Sequence, residues 1–311
     1  MIQRPDVDEA RDRVRGHIRT TPLLAVEREA LGVRAVFKLE YLQHTGSFKA
    51  RGAFNRILGA REKNLLDPDV GIVVASGGNA GMANAYAASR LGVPATVFVP
   101  ETAPAVKVAR LKAYGARVVL SGTEYAVAYE AAQHEVARSG ALYCHAYDQP
   151  EIAAGAGTLA LELREQVPSA VDTVVVAVGG GGLLAGVTAA LDGSVRVVGV
   201  EPTGAQTLRS ALEAGRPVDV PVSGVAADSL GARRLGDIAF DVTSRLPVQS
   251  VVVTDDDIVA ARSVLWERWR VVVEHGAATA LAGLTSGAYV PEPDETVAIV
   301  LCGANTDPTG L

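Results

Sequence analysis

Only five lysines occur in the 311 residues: Lys38, Lys49, Lys63, Lys107 and Lys112. Four have plain surroundings. Lys63 falls at a polar helix end, Lys107 and Lys112 on a surface helix face, and Lys38 in a strand where Glu40 shares its side. Lys49 differs, because it follows Thr45-Gly46-Ser47-Phe48 where a loop turns into a helix, with Ser47 as the expected N-cap. The positive end of a helix disfavours an ammonium, so a lysine held there is primed to act as the free amine that Schiff-base chemistry needs.

A second signal is the run Gly179-Gly180-Gly181-Gly182 between an apolar strand-like run and a helical stretch opening at Leu183. Four residues without a Cβ ahead of a helix can aim several N–H groups at one anion, which points to a phosphate-bearing ligand. Two other readings fit the same residues: a turn made of glycine only for tight packing, and a dinucleotide fingerprint in Gly180-x-Gly182-x-x-Ala185, with Glu201 roughly 20 residues on at the next strand end. An ATP-type P-loop is excluded, since no glycine precedes a lysine. Two further small-residue loops follow apolar runs: Ser76-Gly77-Gly78-Asn79-Ala80-Gly81 and Cys302-Gly303-Ala304-Asn305. No Gly-x-Ser-x-Gly elbow occurs, and the five histidines show no metal-ligand spacing, which argues against serine hydrolase and transition-metal chemistry.

The elements that must carry these loops can be read from periodicity. Short β-branched runs at Ala35–Glu40, Gly71–Ala75, Ala95–Val99, Arg117–Leu120, Leu142–His145, Thr173–Val178, Val195–Val200, Ser250–Thr254 and Thr296–Leu301 alternate with alanine-rich helical stretches such as Thr123–Ser139 and Asp255–Arg270. The alternation predicts an α/β fold with mainly parallel sheets, and runs apolar at nearly every residue predict strands covered on both faces. Nine strands are too many for one comfortable sheet at this length, so two doubly wound domains are expected. Composition agrees: 49% hydrophobic and 21% charged residues describe a folded globular chain, and a net charge of −6 gives no footprint for nucleic acid or an anionic membrane. The uncharged stretch Thr173 to Leu191 approaches the length of a membrane span, but its glycines break a lipid-exposed helix, so no membrane partner is expected. Two distant cysteines, Cys144 and Cys302, and an N-terminus without a signal-peptide pattern predict the cytoplasm.

Taken together, Thr45-Gly46-Ser47-Phe48-Lys49, Ser76-Gly77-Gly78-Asn79-Ala80-Gly81-Met82-Ala83, Gly179-Gly180-Gly181-Gly182-Leu183 and Leu301-Cys302-Gly303-Ala304-Asn305 occur in an order that resembles fold-type II pyridoxal-phosphate enzymes, the tryptophan synthase β-like group, and within it the serine/threonine dehydratases (ammonia-lyases). Four ordered motifs over roughly 260 positions are far more specific than any one of them. The resemblance implies pyridoxal 5'-phosphate as cofactor and Lys49 as the residue that binds it covalently and later removes the substrate Cα proton. It implies that Phe48 packs on the cofactor ring, that Gly179, Gly180, Gly181, Gly182 and Leu183 hold its phosphate, and that Asn79 bonds its hydroxyl. Cys302 falls opposite the pyridine nitrogen, as in mammalian-type serine dehydratases, and Glu274, after Trp266-Glu267-Arg268, falls near the cofactor. Ser76, Gly77, Asn79 and Ala80 fall on the loop for the substrate carboxylate. Val225 to Asp228 fall near the other ring face.

The implied reaction is β-elimination of water from L-serine or L-threonine, giving ammonia with pyruvate or 2-oxobutanoate. Alternatives are another β-elimination or β-replacement enzyme or an amino-acid racemase on the same scaffold and, outside it, a nicotinamide (NAD-type) dehydrogenase or a non-catalytic ligand-binding protein. Racemases of this group carry a second acid–base serine where this chain has Gly77, which disfavours racemisation. Relatives with a divalent cation use a glutamate, a carbonyl and an aspartate; Glu201 and Ala205 match the first two, but Thr207 stands at the third, so no metal is expected. The other reading of Glu201 is a strand-end acid in a surface ion pair. The resemblance also implies a homodimer, with residues 1–44 and 145–311 as a large cofactor-binding domain and 45–144 as a small mobile one. The chain runs nine residues beyond Cys302, so the isoleucine-responsive regulatory domain of biosynthetic threonine dehydratases is not expected.

Overall fold

Runs that are apolar at every residue after an opening threonine, such as Thr173–Ala177 and Thr296–Val300, are buried at every residue in the computed structural model, which describes residues 1–167 and 171–308. They are the central strands of the larger of two sheets. Strands are numbered in chain order: β1 (Leu23–Val26), β2 (Arg34–Lys38), β3 (Ile72–Ala75), β4 (Ala95–Val99), β5 (Arg117–Leu120), β6 (Leu142–Tyr143), β7 (Thr173–Ala177), β8 (Arg196–Pro202), β9 (Gln249–Val253) and β10 (Thr296–Val300). The six-stranded sheet has the order β1-β2-β10-β7-β8-β9 and the four-stranded sheet the order β5-β4-β3-β6. Every pairing is parallel except β1 with β2.

All nine expected strands form. β1, Leu-Leu-Ala-Val, is an addition to them; it pairs antiparallel at the sheet edge, with Leu23 opposite Lys38. Strand alternation explains how the smaller sheet is covered on both faces. Ile72 and Val74 of β3 join one apolar cluster, while Val73 and Ala75 join another with Phe98, Ala128 and Ala132. The two expected helices form as Tyr125–Ser139 and Asp255–Trp269, the latter closed by a reciprocal pair of bonds between Thr254 and Asp257.

Each sheet reverses its winding once. In the larger, the chain moves outward from β7 through β8 to β9, while β10 lies on the other side of β7; in the smaller it moves from β3 through β4 to β5, while β6 lies on the other side of β3. Loops leaving the carboxyl ends of strands on either side of such a reversal diverge and leave a crevice. Those loops are the ones after β3, β6, β7 and β10.

One helix, Pro150–Gln166, packs against both the helix Lys49–Glu62 and the helix Gly182–Leu191. Glycines permit the close approach. A Cβ at Gly155 would stand 2.7 Å from the Arg51 carbonyl oxygen, and one at Gly157 would stand 2.4 Å from that of Gly186. The lysine-bearing helix and the helix behind the glycine run are thus referenced to the same surface.

Candidate active site

Lys49 is set in place by backbone. Residues 46–48 run antiparallel to 302–304: Phe48 N donates to Cys302 O at 3.0 Å, Ala304 N to Gly46 O at 2.9 Å, and Ser47 bridges Gly303. The helix therefore starts at Lys49 beside the β10 loop, with Phe48 as its N-cap residue. The expectation that Ser47 caps this helix is not met. Ser47 is extended, fully buried, and its hydroxyl has no partner among the described residues, because the antiparallel bridge and not a side-chain cap fixes the turn.

The Lys49 side chain reaches into the space between the two sheets, partly accessible from the crevice but enclosed by protein. Its Nζ donates to Ala146 O at 2.8 Å and lies 4.9 Å from the centre of the Phe48 ring. Burial pulls its pKa down to about 8, against the opposing pull of Cys302 and Glu274. Ala146 belongs to the turn after β6, a segment without any signal in the sequence pattern. His145 shapes that turn: its Nδ1 accepts from Tyr147 N at 3.2 Å and Asp148 N at 2.8 Å, which leaves the proton on Nε2. Burial lowers the pKa of His145 and keeps it neutral.

Asn79 opens the helix Asn79–Arg90 and ties the smaller sheet to the larger. Its Nδ2 donates to Glu274 Oε1 at 2.8 Å, and its Oδ1 accepts from Asn305 Nδ2 at 2.7 Å. Asn305 Nδ2 also donates to Thr45 O at 2.8 Å, and Glu274 N to Gly303 O at 3.1 Å, so four loops meet in one hydrogen-bonded knot. Among the described residues one Asn79 amide hydrogen has no acceptor, which leaves it for a ligand. Burial raises the pKa of Glu274 and, beside it, that of the Cys302 thiol, which is therefore neutral. Ser76, Gly77, Asn79 and Ala80 lie at the amino end of the Asn79–Arg90 helix, where the first amides lack helical acceptors. Ser76 Oγ accepts from Gly78 N at 3.3 Å.

All four residues of the glycine run are close-packed. A Cβ would stand 3.1 Å from Leu230 Cα at Gly179, 2.5 Å from the Tyr147 ring at Gly180, 2.5 Å from Ala239 Cβ at Gly181 and 2.7 Å from Tyr147 O at Gly182. Packing alone thus accounts for the missing side chains. What packing leaves over is the amides: among the described residues the N–H groups of Gly180, Gly181 and Gly182 have no acceptor, and they stand at the amino end of the Gly182–Leu191 helix. Leu183 follows them, buried.

Glu201, Ala205 and Thr207 lie behind this loop. Glu201 is not a surface acid. It is fully buried, and its carboxylate accepts from Leu208 N at 2.6 Å and Arg209 N at 2.9 Å, closing the amino end of the helix Thr207–Ala214. Burial pushes its pKa up to about 7. An acid used in this way does not face a ribose, which removes support from the dinucleotide reading. Among the described residues no three His, Cys, Asp or Glu side chains cluster as a metal site. Asp228, from the segment expected near the site, pairs with Lys107, which is therefore not the plain surface lysine its sequence neighbours suggest; the contact joins the helices Ala227–Leu230 and Ala105–Ala113 across the crevice. Lys38 is also not plain: it is fully buried, donating to Thr21 O at 2.7 Å and paired with Glu162.

Comparison with known proteins bears on this arrangement. The family model for "Pyridoxal-phosphate dependent enzyme" matches residues 14–303. The chain is 38% identical over 306 residues to the L-threonine ammonia-lyase of Geobacter sulfurreducens, covering 97% of this chain and 75% of that protein. Among solved structures it is similar to a T.th. threonine deaminase, with a TM-score of 0.89 at 36% identity over 98% of this chain and 99% of the other. It is also similar to serine racemase from Dictyostelium discoideum, with a TM-score of 0.90 at 32% identity over 98% and 99%.

Proposed function

The chain belongs to the pyridoxal-phosphate dependent enzyme family, and from that premise we propose that it is an ammonia-lyase that eliminates water from L-threonine and L-serine, releasing ammonia with 2-oxobutanoate or pyruvate. The observation that carries this reading is a largely enclosed lysine amine with a depressed pKa, held by Ala146 beside the Tyr147 on which Gly180 and Gly182 pack, together with three amides of that glycine run unpartnered among the described residues, in a chain similar throughout to an L-threonine ammonia-lyase and a threonine deaminase.

The residues fit the cofactor. Lys49 offers one amine held by a single carbonyl, so it can exchange that bond for a covalent one. Gly180, Gly181 and Gly182 offer amides for the phosphate, with Gly179 and Leu183 completing the loop. Asn79 keeps a donor for the ring hydroxyl, and Phe48 packs beside the amine. Glu274 orients Asn79. Bound pyridoxal phosphate supplies the electron sink that makes the substrate Cα proton removable. Cys302, uncharged, would face the ring nitrogen by the family resemblance and would not hold a proton there as a carboxylate would, which would suit prompt departure of a β-hydroxyl. The amide groups of the Ser76–Ala80 segment receive the substrate carboxylate. Lys49 takes the Cα proton, and burial keeps a share of it neutral near pH 7 for that task.

Gly77 supports elimination over racemisation, since no side chain at that position can serve as a second acid–base group on the opposite face from Lys49. Racemisation is the second reading, favoured by the similarity to serine racemase. One assay separates them: incubation with L-threonine and L-serine, with 2-oxo acid, ammonia and amino-acid chirality all measured. Formation of 2-oxo acid with no D-isomer supports the lyase, and D-serine without 2-oxo acid refutes it.

Residues 45–144 act as a small mobile domain in this proposal, closing against the remainder through Asn79–Glu274, Asn79–Asn305 and Lys107–Asp228. The protein works as a cytoplasmic homodimer. Two buried free cysteines suit a reducing compartment, and light scattering on purified protein tests the dimer. Among the described residues no helix is long and apolar enough to cross a membrane.

A further inference from the structure

Three successive carbonyls of the glycine run are pinned. Thr207 Oγ1 donates to Gly179 O at 2.5 Å, Gly236 N to Gly180 O at 3.0 Å, and Ala185 N to Gly181 O at 2.8 Å. In a trans peptide the carbonyl and the following N–H point in opposite directions. Each pinned carbonyl therefore aims the next amide, and the amides so aimed, those of Gly180, Gly181 and Gly182, have no acceptors among the described residues. Two of the anchors are backbone groups that most residues could supply. The third is a side chain.

We propose that Thr207 is a positioning residue for the phosphate loop, its hydroxyl fixing the Gly179–Gly180 peptide so that the Gly180 amide faces the cofactor phosphate. The inference rests on the pyridoxal-phosphate reading of the site and deepens it. Thr207 is itself firmly placed. It is fully buried at the start of the helix Thr207–Ala214, whose next two amides are held by Glu201, and the Glu201 carboxylate lies 3.1 Å from the Thr207 hydroxyl. The single hydroxyl proton has two acceptors within reach, and the shorter contact is to the loop. Without that proton the Gly179 carbonyl has no partner among the described residues, and the glycines on either side bring no Cβ to restrict the dihedral angles of that peptide.

The test separates phosphate from the rest of the cofactor. Holoenzyme is stripped and re-titrated with pyridoxal phosphate and with pyridoxal, which lacks the phosphate, for the wild type and for Thr207→Val, Thr207→Ala and Thr207→Ser. The expected result is a loss of about tenfold in affinity for pyridoxal phosphate in the Val and Ala variants, the worth of one buried hydrogen bond. Pyridoxal affinity stays unchanged, and Ser restores the wild-type value. Either of two results overturns the proposal: pyridoxal phosphate binding to the Val or Ala variant as tightly as to wild type, or equal losses for both ligands, which would mark general damage. If wild type itself binds pyridoxal as tightly as pyridoxal phosphate, the assignment of the glycine run to the phosphate falls, and this inference with it.

Discussion

Lys49 Nζ donates to the carbonyl oxygen of Ala146 at 2.8 Å, joining the first residue of one helix to the turn after β6. A carbonyl is a weak hold on an ammonium and leaves the charge largely uncompensated, so burial is felt in the pKa of the amine and leaves it ready to react.

That state predicts a pH dependence. With a pKa near 8 in place of 10.5, Lys49 is half neutral near pH 8 and about nine-tenths neutral at about pH 9. Capture of cofactor by the apoprotein, followed by stopped-flow absorbance, is expected to accelerate about tenfold from pH 7 to pH 9 and then level off. An unshifted lysine would still be gaining about a hundredfold over that interval. The same shift makes this group add to apoprotein stability as pH rises from about 8 towards 10.5, where the unfolded lysine keeps a proton that the folded one has lost.

Two residues beyond Lys49, Arg51 grips Glu40 with two bonds of 2.8 Å, and both side chains are fully buried. Arg51 also donates to Glu162 at 3.0 Å. Arg51→Met is expected to cost about 3–5 kcal/mol in urea denaturation, because Glu40 is left charged without its main partner. The double change of Arg51→Met with Glu40→Leu is expected to recover much of that loss, since the stranded charge goes too. A single change as mild as that of an exposed ion pair would show that the cluster does not hold the lysine-bearing helix.

Both cysteines are buried thiols with raised pKa, Cys144 pushed up to about 12 by loss of solvent. Iodoacetamide at neutral pH is expected to modify neither in the folded protein and both after unfolding, as read by intact mass. Rapid alkylation of Cys302 in the native state would contradict a neutral thiol at that position.

Much of the architecture is legible in the sequence because parallel strands buried on both faces are apolar at nearly every residue, as β7 and β10 are. β1 leaves little trace because Leu-Leu-Ala-Val is short and carries a single β-branched residue. The loops of the site stand out as small-residue segments after strands, yet their partners do not. Ala146 contributes a backbone oxygen, which leaves no mark on side-chain pattern. Lys38 looks bland in sequence because Glu162, its partner, is 124 positions away. Ser47 resembles a cap because local rules do not foresee the strand-like bridge to Gly303. The surface reading of Glu201 fails because its strand end lies under a helix that the chain forms only afterwards.

In the proposed function Lys49, and no other lysine, carries the cofactor. Borohydride reduction of the holoenzyme, followed by peptide mass spectrometry, is expected to find the added cofactor mass on the peptide containing Lys49 alone. Stoichiometric addition at Lys38, Lys63, Lys107 or Lys112, or none in a protein that turns over L-threonine, would contradict it.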